Sequence, residues 1–307
     1  MSGGRPVTVL DTSAEKARRF TGATLLADYW SLTKPEVNLL ILITTFAGFY
    51  LSGTNDGPPF SYFALFDTLL GTLLVASGTA ALNQYIERNF DAQMRRTARR
   101  PIAAGRLDPH AALDFGIILS AVGTVYLALT TTLLASLLAL LTLLSYLFLY
   151  TPLKRKTPLC VLVGAFPGAM PPLIGWAAAT GGLTTEAWLL YAIVFLWQFP
   201  HFMAIAWMYR EDYDRAGYSM LPKGRARVAL VILQTILPLL VLFPISVAQV
   251  PARPAGTLYW AGHVLGFAFL YFGLGFAHQR SRGAARQLLA ASIVYLPVLL
   301  MLRAALQ

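Results

Sequence analysis

Nine apolar windows, each close to the length that crosses a bilayer, recur along this chain and leave little choice of fold. A helix needs roughly 20 apolar residues to span the hydrocarbon core, and inside that core every backbone N–H and C=O must find its partner within the protein. The windows run Val37–Leu51, Asp67–Tyr85, Ala111–Thr130, Leu133–Tyr150, Leu159–Thr180, Trp188–Met208, Val228–Ala248, Leu258–Phe276 and Leu288–Leu302. Thr130–Thr132 divides one long apolar run into two helices, and Pro167, Pro171 and Pro172 interrupt another without ending it. The expected fold is all-α, a polytopic membrane protein of nine transmembrane helices. Composition agrees, because 57% of the residues are hydrophobic and 12% charged, where soluble domains carry about 25% charge.

The positive residues orient these spans. Loops rich in lysine and arginine stay on the cytoplasmic side. Of the 24 lysines and arginines, all but Arg253 and Arg303 fall in the N-terminal tail or in alternate loops on one side. The chain is therefore expected to run from a cytoplasmic N-terminus to a periplasmic C-terminus in a bacterial inner membrane. The net charge of +10 belongs to this pattern, so it points to loops beside anionic lipid and excludes nucleic acid as the partner. Residues 1–32 read as a cytoplasmic tail, with Ser13–Leu32 forming an interfacial helix that carries Trp30. Residues 33–307 read as one intramembrane domain. The tail has no apolar core for a signal peptide, and its Asp11 and Glu15 argue against a mitochondrial transit sequence. The single cysteine, Cys160, excludes an internal disulfide framework and a cysteine metal cluster.

Charge gathers where the second window ends. Glu87, Asp91 and the arginines at 88, 95, 96, 99 and 100 lie within fourteen residues. Asn83, Glu87 and Asp91 are spaced four apart, so on a helix they share one face and span about 12 Å. Such a row of oxygen ligands suits Mg²⁺, which takes one or two carboxylates and completes its shell with water and phosphate oxygens. Arg95, Arg96, Arg99 and Arg100 can fork onto those phosphate oxygens. The competing reading is an ordinary helix end, with the acids paired to neighbouring arginines and the basic cluster serving topology. A second acidic loop, Tyr209-Arg210-Glu211-Asp212-Tyr213-Asp214, follows the sixth window on the same side, four helices later. Two such clusters are what a cavity between parallel half-repeats would use to hold two metal ions.

His201, in Trp197-Gln198-Phe199-Pro200-His201-Phe202, falls inside the sixth window. An intramembrane histidine is a functional candidate, although a structural one satisfied by its surroundings fits equally. His263 lies nearer the opposite face, and His110 and His278 read as loop residues. Trp176, Trp197, Phe199, Phe202 and Trp207 line an apolar tunnel or anchor the helices at the interface.

Taken together, these segments resemble the UbiA superfamily of intramembrane prenyltransferases, and within it the haem-directed branch. The resemblance runs from Leu32-Thr33-Lys34-Pro35 through the ninth helix. It rests on Asn83, Glu87 and Asp91 with Met94, Arg96-Thr97 and Arg100-Pro101; on Tyr150-Thr151-Pro152-Leu153-Lys154-Arg155 with Thr157-Pro158; on Pro171-Pro172 with Gly175-Trp176; on Trp197 to Phe202; and on Tyr209 to Pro222. It implies helices around a central cavity, and the transfer of a farnesyl group from farnesyl diphosphate to a vinyl group of haem B. The implied product is haem O for haem-copper oxidase biogenesis, with a haem A synthase as the downstream partner. It further implies catalytic and metal roles, toward Mg²⁺, for Asn83, Glu87, Asp91 and Asp212, and diphosphate contacts for Arg96, Arg100, Lys154 and Arg155. Tyr209, Glu211 and Tyr213 join the site from the second loop, and His201 is the haem-binding candidate. Quinone-directed members carry aspartate where this chain has Glu87 and an intact Asp-x-x-x-Asp in the second loop. These departures fit the haem branch but leave the second metal-holding carboxylate open among Glu211, Asp212 and Asp214. Cys160 stands where the family would lead one to expect asparagine. An aromatic, quinone-precursor acceptor is the nearest alternative, and a cation-coupled transporter a more distant one.

Overall fold

A computed structural model describes residues 22–53, 60–222, 224–248 and 257–305. Among them every regular element is a helix: α1 (Gly22–Leu32), α2 (Pro35–Leu51), α3 (Tyr62–Asp91), α4 (Pro109–Thr130), α5 (Leu133–Leu153), α6 (Cys160–Gly168), α7 (Pro171–Thr180), α8 (Thr185–Met208), α9 (Arg210–Arg215), α10 (Arg225–Ala248), α11 (Thr257–Gln279) and α12 (Arg282–Ala305). Eight segments of the described chain are long and apolar enough to cross a membrane, α6 and α7 counting as one, and α2 is a shorter apolar helix of 17 residues. The protein is a polytopic membrane protein. Of the tail, α1 is described, and the part of the expected interfacial helix before residue 22 lies outside the described residues.

Local chemistry sets most helix ends. Ser61, Asp108 and Thr132 each accept a hydrogen bond from the backbone N–H three residues on, which satisfies a donor that the first helical turn leaves free. Pro35 and Pro109 occupy first-turn positions, where the missing N–H costs nothing. The interruption at Thr130–Thr132 is a true turn between α4 and α5, and Thr132 also donates to the Ala177 carbonyl of α7. The break at Ala169–Met170 separates α6 from α7, because Pro171 and Pro172 can donate no backbone hydrogen bond there. The second window differs most from its helix. Hydropathy bounds it at Asp67 and Tyr85, yet α3 runs from Tyr62 to Asp91, since helical hydrogen bonding continues past the point where side chains turn polar.

Neighbouring helices pack in sequence, and α12 returns against α2, so the order of contacts closes on itself. Gly48 of α2 and Gly175 of α7 meet backbone of the opposite helix, the carbonyls of Pro172 and Thr45, where any Cβ would collide. Small residues at such crossings let helices approach closely in lipid, where packing replaces the hydrophobic drive. Phe63, Leu129, Val264 and Tyr271 remain exposed on the outside, as lipid contact permits. Trp176, Trp197 and Phe199 lie in the largest buried apolar cluster, so they are core residues and not interfacial anchors.

Candidate active site

The last turns of α3 carry Asn83, Glu87 and Asp91, which are 1%, 6% and 1% exposed. Their four-residue spacing brings Asn83 Nδ2 within 3.0 Å of Glu87 Oε2. A buried carboxylate is costly unless paired and hydrogen-bonded; two distant segments supply the partners of Glu87, and a third holds Asn83. Lys154 Nζ donates to both Glu87 oxygens, at 3.0 and 3.2 Å. Tyr218 donates its hydroxyl to Glu87 Oε1 at 3.0 Å. Lys34 Nζ donates to Asn83 Oδ1 at 3.1 Å.

Lys154 reaches this point through a distortion of α5. Residues Ser145–Tyr150 form a π turn, in which the extra residue per turn rotates everything after it. Thr151, at the end of that turn, gives its hydroxyl hydrogen to the Tyr146 carbonyl and accepts Asn83 Nδ2 at 3.3 Å. Tyr150 presents its ring face to the Lys154 ammonium, 4.6 Å from the centroid. Burial is the largest single influence and works against the Lys154 charge, but the adjacent Glu87 carboxylate together with the phenolic groups of Tyr150, Tyr146 and Tyr218 holds the ammonium well above the ordinary lysine pKa. At Lys34 the balance reverses: burial first, then the positive Arg100, push its pKa down to about 7 against the pull of Glu87. Burial and the Glu87 charge push the Tyr218 phenol up, keeping it a donor.

Asp91 is held differently. Arg100 Nη1 pairs with Oδ2 at 2.7 Å, and the Thr97 hydroxyl donates to the Asp91 backbone carbonyl at 2.9 Å. The other carboxylate oxygen, Oδ1, is buried without a hydrogen-bond partner among the described residues. The turns after α3 are pinned in turn to α1, where Arg106 forks onto the buried Asp28 at 2.8 to 3.2 Å. Arg95 and Arg99 of the same stretch are exposed.

The second acidic loop meets the first motif, but not through its acids. Asp212 pairs with Arg215 at 3.0 Å, Glu211 with Arg210 at 3.7 Å, and Asp214 with Arg227 at 3.0 Å. Aromatic groups make the crossing instead. Arg96 Nη2 donates to the Tyr213 hydroxyl at 3.4 Å, and its guanidinium lies 5.0 Å above the Tyr209 ring. Arg155 stacks on Phe90 at 4.7 Å, and the Ser219 backbone N–H donates to the Lys154 carbonyl at 2.8 Å. A narrow cleft beside Glu87 is lined by Ile86, Phe90, Thr151, Arg155 and Tyr218. A larger cavity, about 220 Å³, lies at the opposite ends of α2 and α3 and has no ionisable side chain in its lining.

Asn83, Glu87, Asp91, Arg100 and Lys154 are thus brought together, with Arg96 and Arg155 at the rim. Asp212 does not join them: among the described residues, no three acidic, histidine or cysteine side chains share a point that one metal ion could occupy. Basic side chains hold the place of a cation along the row, and Arg215 holds Asp212. The donor set still fits a hard cation, since it is all oxygen and Asp91 Oδ1 has no partner. Lys34, Thr151 and Tyr218 belong to the network although sequence reading passed them over. Lys34 stands immediately before the first proline-started helix on the acidic side, which was a usable signal. Spacing alone gave none for Tyr218.

His201 lies within α8, about two turns from its Met208 end, with Nδ1 2.8 Å from the Ser292 hydroxyl oxygen of α12. His263 sits in the second turn of α11 against Phe243 and Trp260.

A model of the UbiA prenyltransferase family matches residues 41–296. A protoheme IX farnesyltransferase of Solibacter usitatus is 46% identical over 281 residues, 89% of this chain and 96% of that protein. One of Koribacter versatilis is 43% identical over 289 residues, 90% and 92% of the two chains. Among solved structures, a UbiA homolog from Archaeoglobus fulgidus bound to GPP and Mg²⁺ superposes with a TM-score of 0.62 at 14% identity, covering 90% of this chain and 99% of that one.

Proposed function

This chain belongs to the UbiA prenyltransferase family, and from that premise we propose that it is a protohaem IX farnesyltransferase. It moves the farnesyl group of farnesyl diphosphate to a vinyl group of haem B, and water adds to give haem O. The observation that carries this reading is the buried Asn83, Glu87 and Asp91 row with three basic groups, Lys34, Lys154 and Arg100, bonded to it. Likeness to relatives so named, over about nine tenths of the chain, supports haem over an aromatic acceptor.

Diphosphate leaves an allylic carbon only if its developing charge is neutralised, and groups fixed in a buried site do this far better than water. Mg²⁺, when bound, supplies Lewis-acid stabilisation of the phosphate oxygens. Asn83, Glu87 and Asp91 are its proposed ligands, with Asp212 recruited from its Arg215 pair. Asp91 Oδ1, buried and unpartnered, supports that assignment. Lys154 and Arg100 then turn from the carboxylates, and Lys34 from the Asn83 amide oxygen, to the diphosphate, joined by Arg96 and Arg155 at the mouth. Tyr218 keeps Glu87 oriented during the exchange. Tyr209 and Tyr213 hold Arg96 in place, while Glu211, more exposed than either, contributes charge at the rim. The apolar walls keep water from quenching the allylic cation before the vinyl carbon attacks it.

By the same reading, residues 33–307 form one prenyltransferase domain in a bacterial inner membrane. The acidic loops and the N-terminus face the cytoplasm, the C-terminus faces the periplasm, and a haem A synthase takes up the product. The test is purified protein with haem B, farnesyl diphosphate and Mg²⁺. Mass spectrometry is expected to find haem O, and no farnesylated haem in the presence of EDTA; diphosphate release without any haem product would reject the acceptor.

A further inference from the structure

Helices α8 and α12 meet around Ser292, and two residues one turn apart on α8 contact it. Trp197 Nε1 donates to the Ser292 carbonyl at 2.8 Å. His201 Nδ1 lies 2.8 Å from Ser292 Oγ, and that same oxygen lies 2.6 Å from the carbonyl oxygen of Leu289. A carbonyl has no hydrogen to give, and two oxygens this close need a hydrogen between them, so the hydroxyl must supply it. Ser292 has one such hydrogen, and it is committed to Leu289. Toward His201 the serine therefore offers a lone pair, and Nδ1 carries the imidazole hydrogen. The other nitrogen of the neutral ring is then bare.

That nitrogen, Nε2, has no hydrogen-bond partner among the described residues, and the residue is only part-buried. The ring around it is held firmly. Trp197 stacks on it at 4.7 Å and Phe202 meets its edge at 5.6 Å. An imidazole with one N–H anchored on a protein oxygen and the opposite lone pair open is the arrangement that metal-ligating histidines adopt, because the anchor fixes the tautomer and raises ligand basicity. In this tautomer the neutral ring has no Nε2 hydrogen to offer a propionate.

We propose that His201 binds the substrate haem by ligating its iron through Nε2, and that Ser292 is the positioning residue that selects this tautomer. The inference rests on haem being the prenyl acceptor. Haem B is titrated into the full-length protein in detergent, and the ferrous complex is read by resonance Raman and absorption. The wild type is expected to give an iron–histidine stretching mode. His201→Gly loses it and added imidazole restores the ligated spectrum. Ser292→Ala keeps the ligand, but its iron–histidine mode moves to lower frequency and haem binds about tenfold more weakly.

A wild-type haem complex without an iron–histidine mode, or one unchanged in His201→Gly, would overturn the ligation, and the first of these needs no variant to fold. Identical mode frequency and affinity in Ser292→Ala would overturn the positioning role. Failure of the acceptor reading looks different, because the wild type would then bind no haem and make no haem O.

Discussion

The two acidic stretches have similar composition and opposite surroundings. Glu87 and Asn83 draw their partners from 49, 67 and 131 residues away in the chain. Asp212, Glu211 and Asp214 pair with arginines three, one and thirteen residues off. A buried ion pair costs about 3–5 kcal/mol when one partner is removed, whereas pairs near the surface contribute about 0–1 kcal/mol. The first motif is therefore part of what holds α3, α5 and the Tyr218 turn together, and the second can change partners at little cost. A site that takes up and releases a charged substrate needs both, a fixed row of ligands and a loop free to close on them.

Asp91→Ala should produce the largest effect. Turnover is expected to fall about 10³-fold, the scale for losing a fixed electrostatic group in a transition state, with insertion into the membrane unchanged. Haem O production at the wild-type rate would remove Asp91 from the site. Glu87→Gln comes next, leaving Lys154 without its counter-charge and lowering stability by about 3 kcal/mol. Its thermal midpoint in detergent should drop clearly while Glu211→Gln stays at the wild-type value; equal shifts would erase the contrast between the two stretches.

Asp212→Asn sharpens the comparison further. The substrate-free midpoint should not move, yet the Mg²⁺ concentration for half-maximal activity should rise by at least about tenfold, the least that losing even an outer-shell partner of a metal costs. A stability loss without a shift in Mg²⁺ dependence would make Asp212 structural. Tyr218→Phe is the mildest substitution, removing one hydrogen bond to a charged group, and its midpoint should fall by no more than that of Glu87→Gln, with about 1.5–3 kcal/mol as the ceiling. A midpoint indistinguishable from wild type would mean that the Tyr218 hydroxyl adds nothing to Glu87.

Much of this protein follows from its sequence alone, because lipid imposes simple rules. Apolar windows of helical length, with basic residues in alternate loops, determined a polytopic α-helical chain, and four-residue spacing determined that Asn83, Glu87 and Asp91 share a face. The Thr130–Thr132 turn and the proline break after Met170 were legible for the same local reasons. Hydropathy did not reveal that α3 extends to Asp91, since it measures the bilayer and not the hydrogen bonding of the helix. Only the tertiary structure decided which cations neutralise the row. Hydropathy and spacing make Lys34 and Lys154 ordinary loop lysines, and although the family resemblance points Lys154 at diphosphate, only a π turn and the closure of α2 on α3 bring Lys154 to Glu87 and Lys34 to Asn83. It likewise decided that Tyr218, not Asp212, reaches Glu87, and that Ser292, ninety-one residues from His201, sets which imidazole nitrogen is left open. Such pairings depend on which helix packs on which, and no local pattern encodes that.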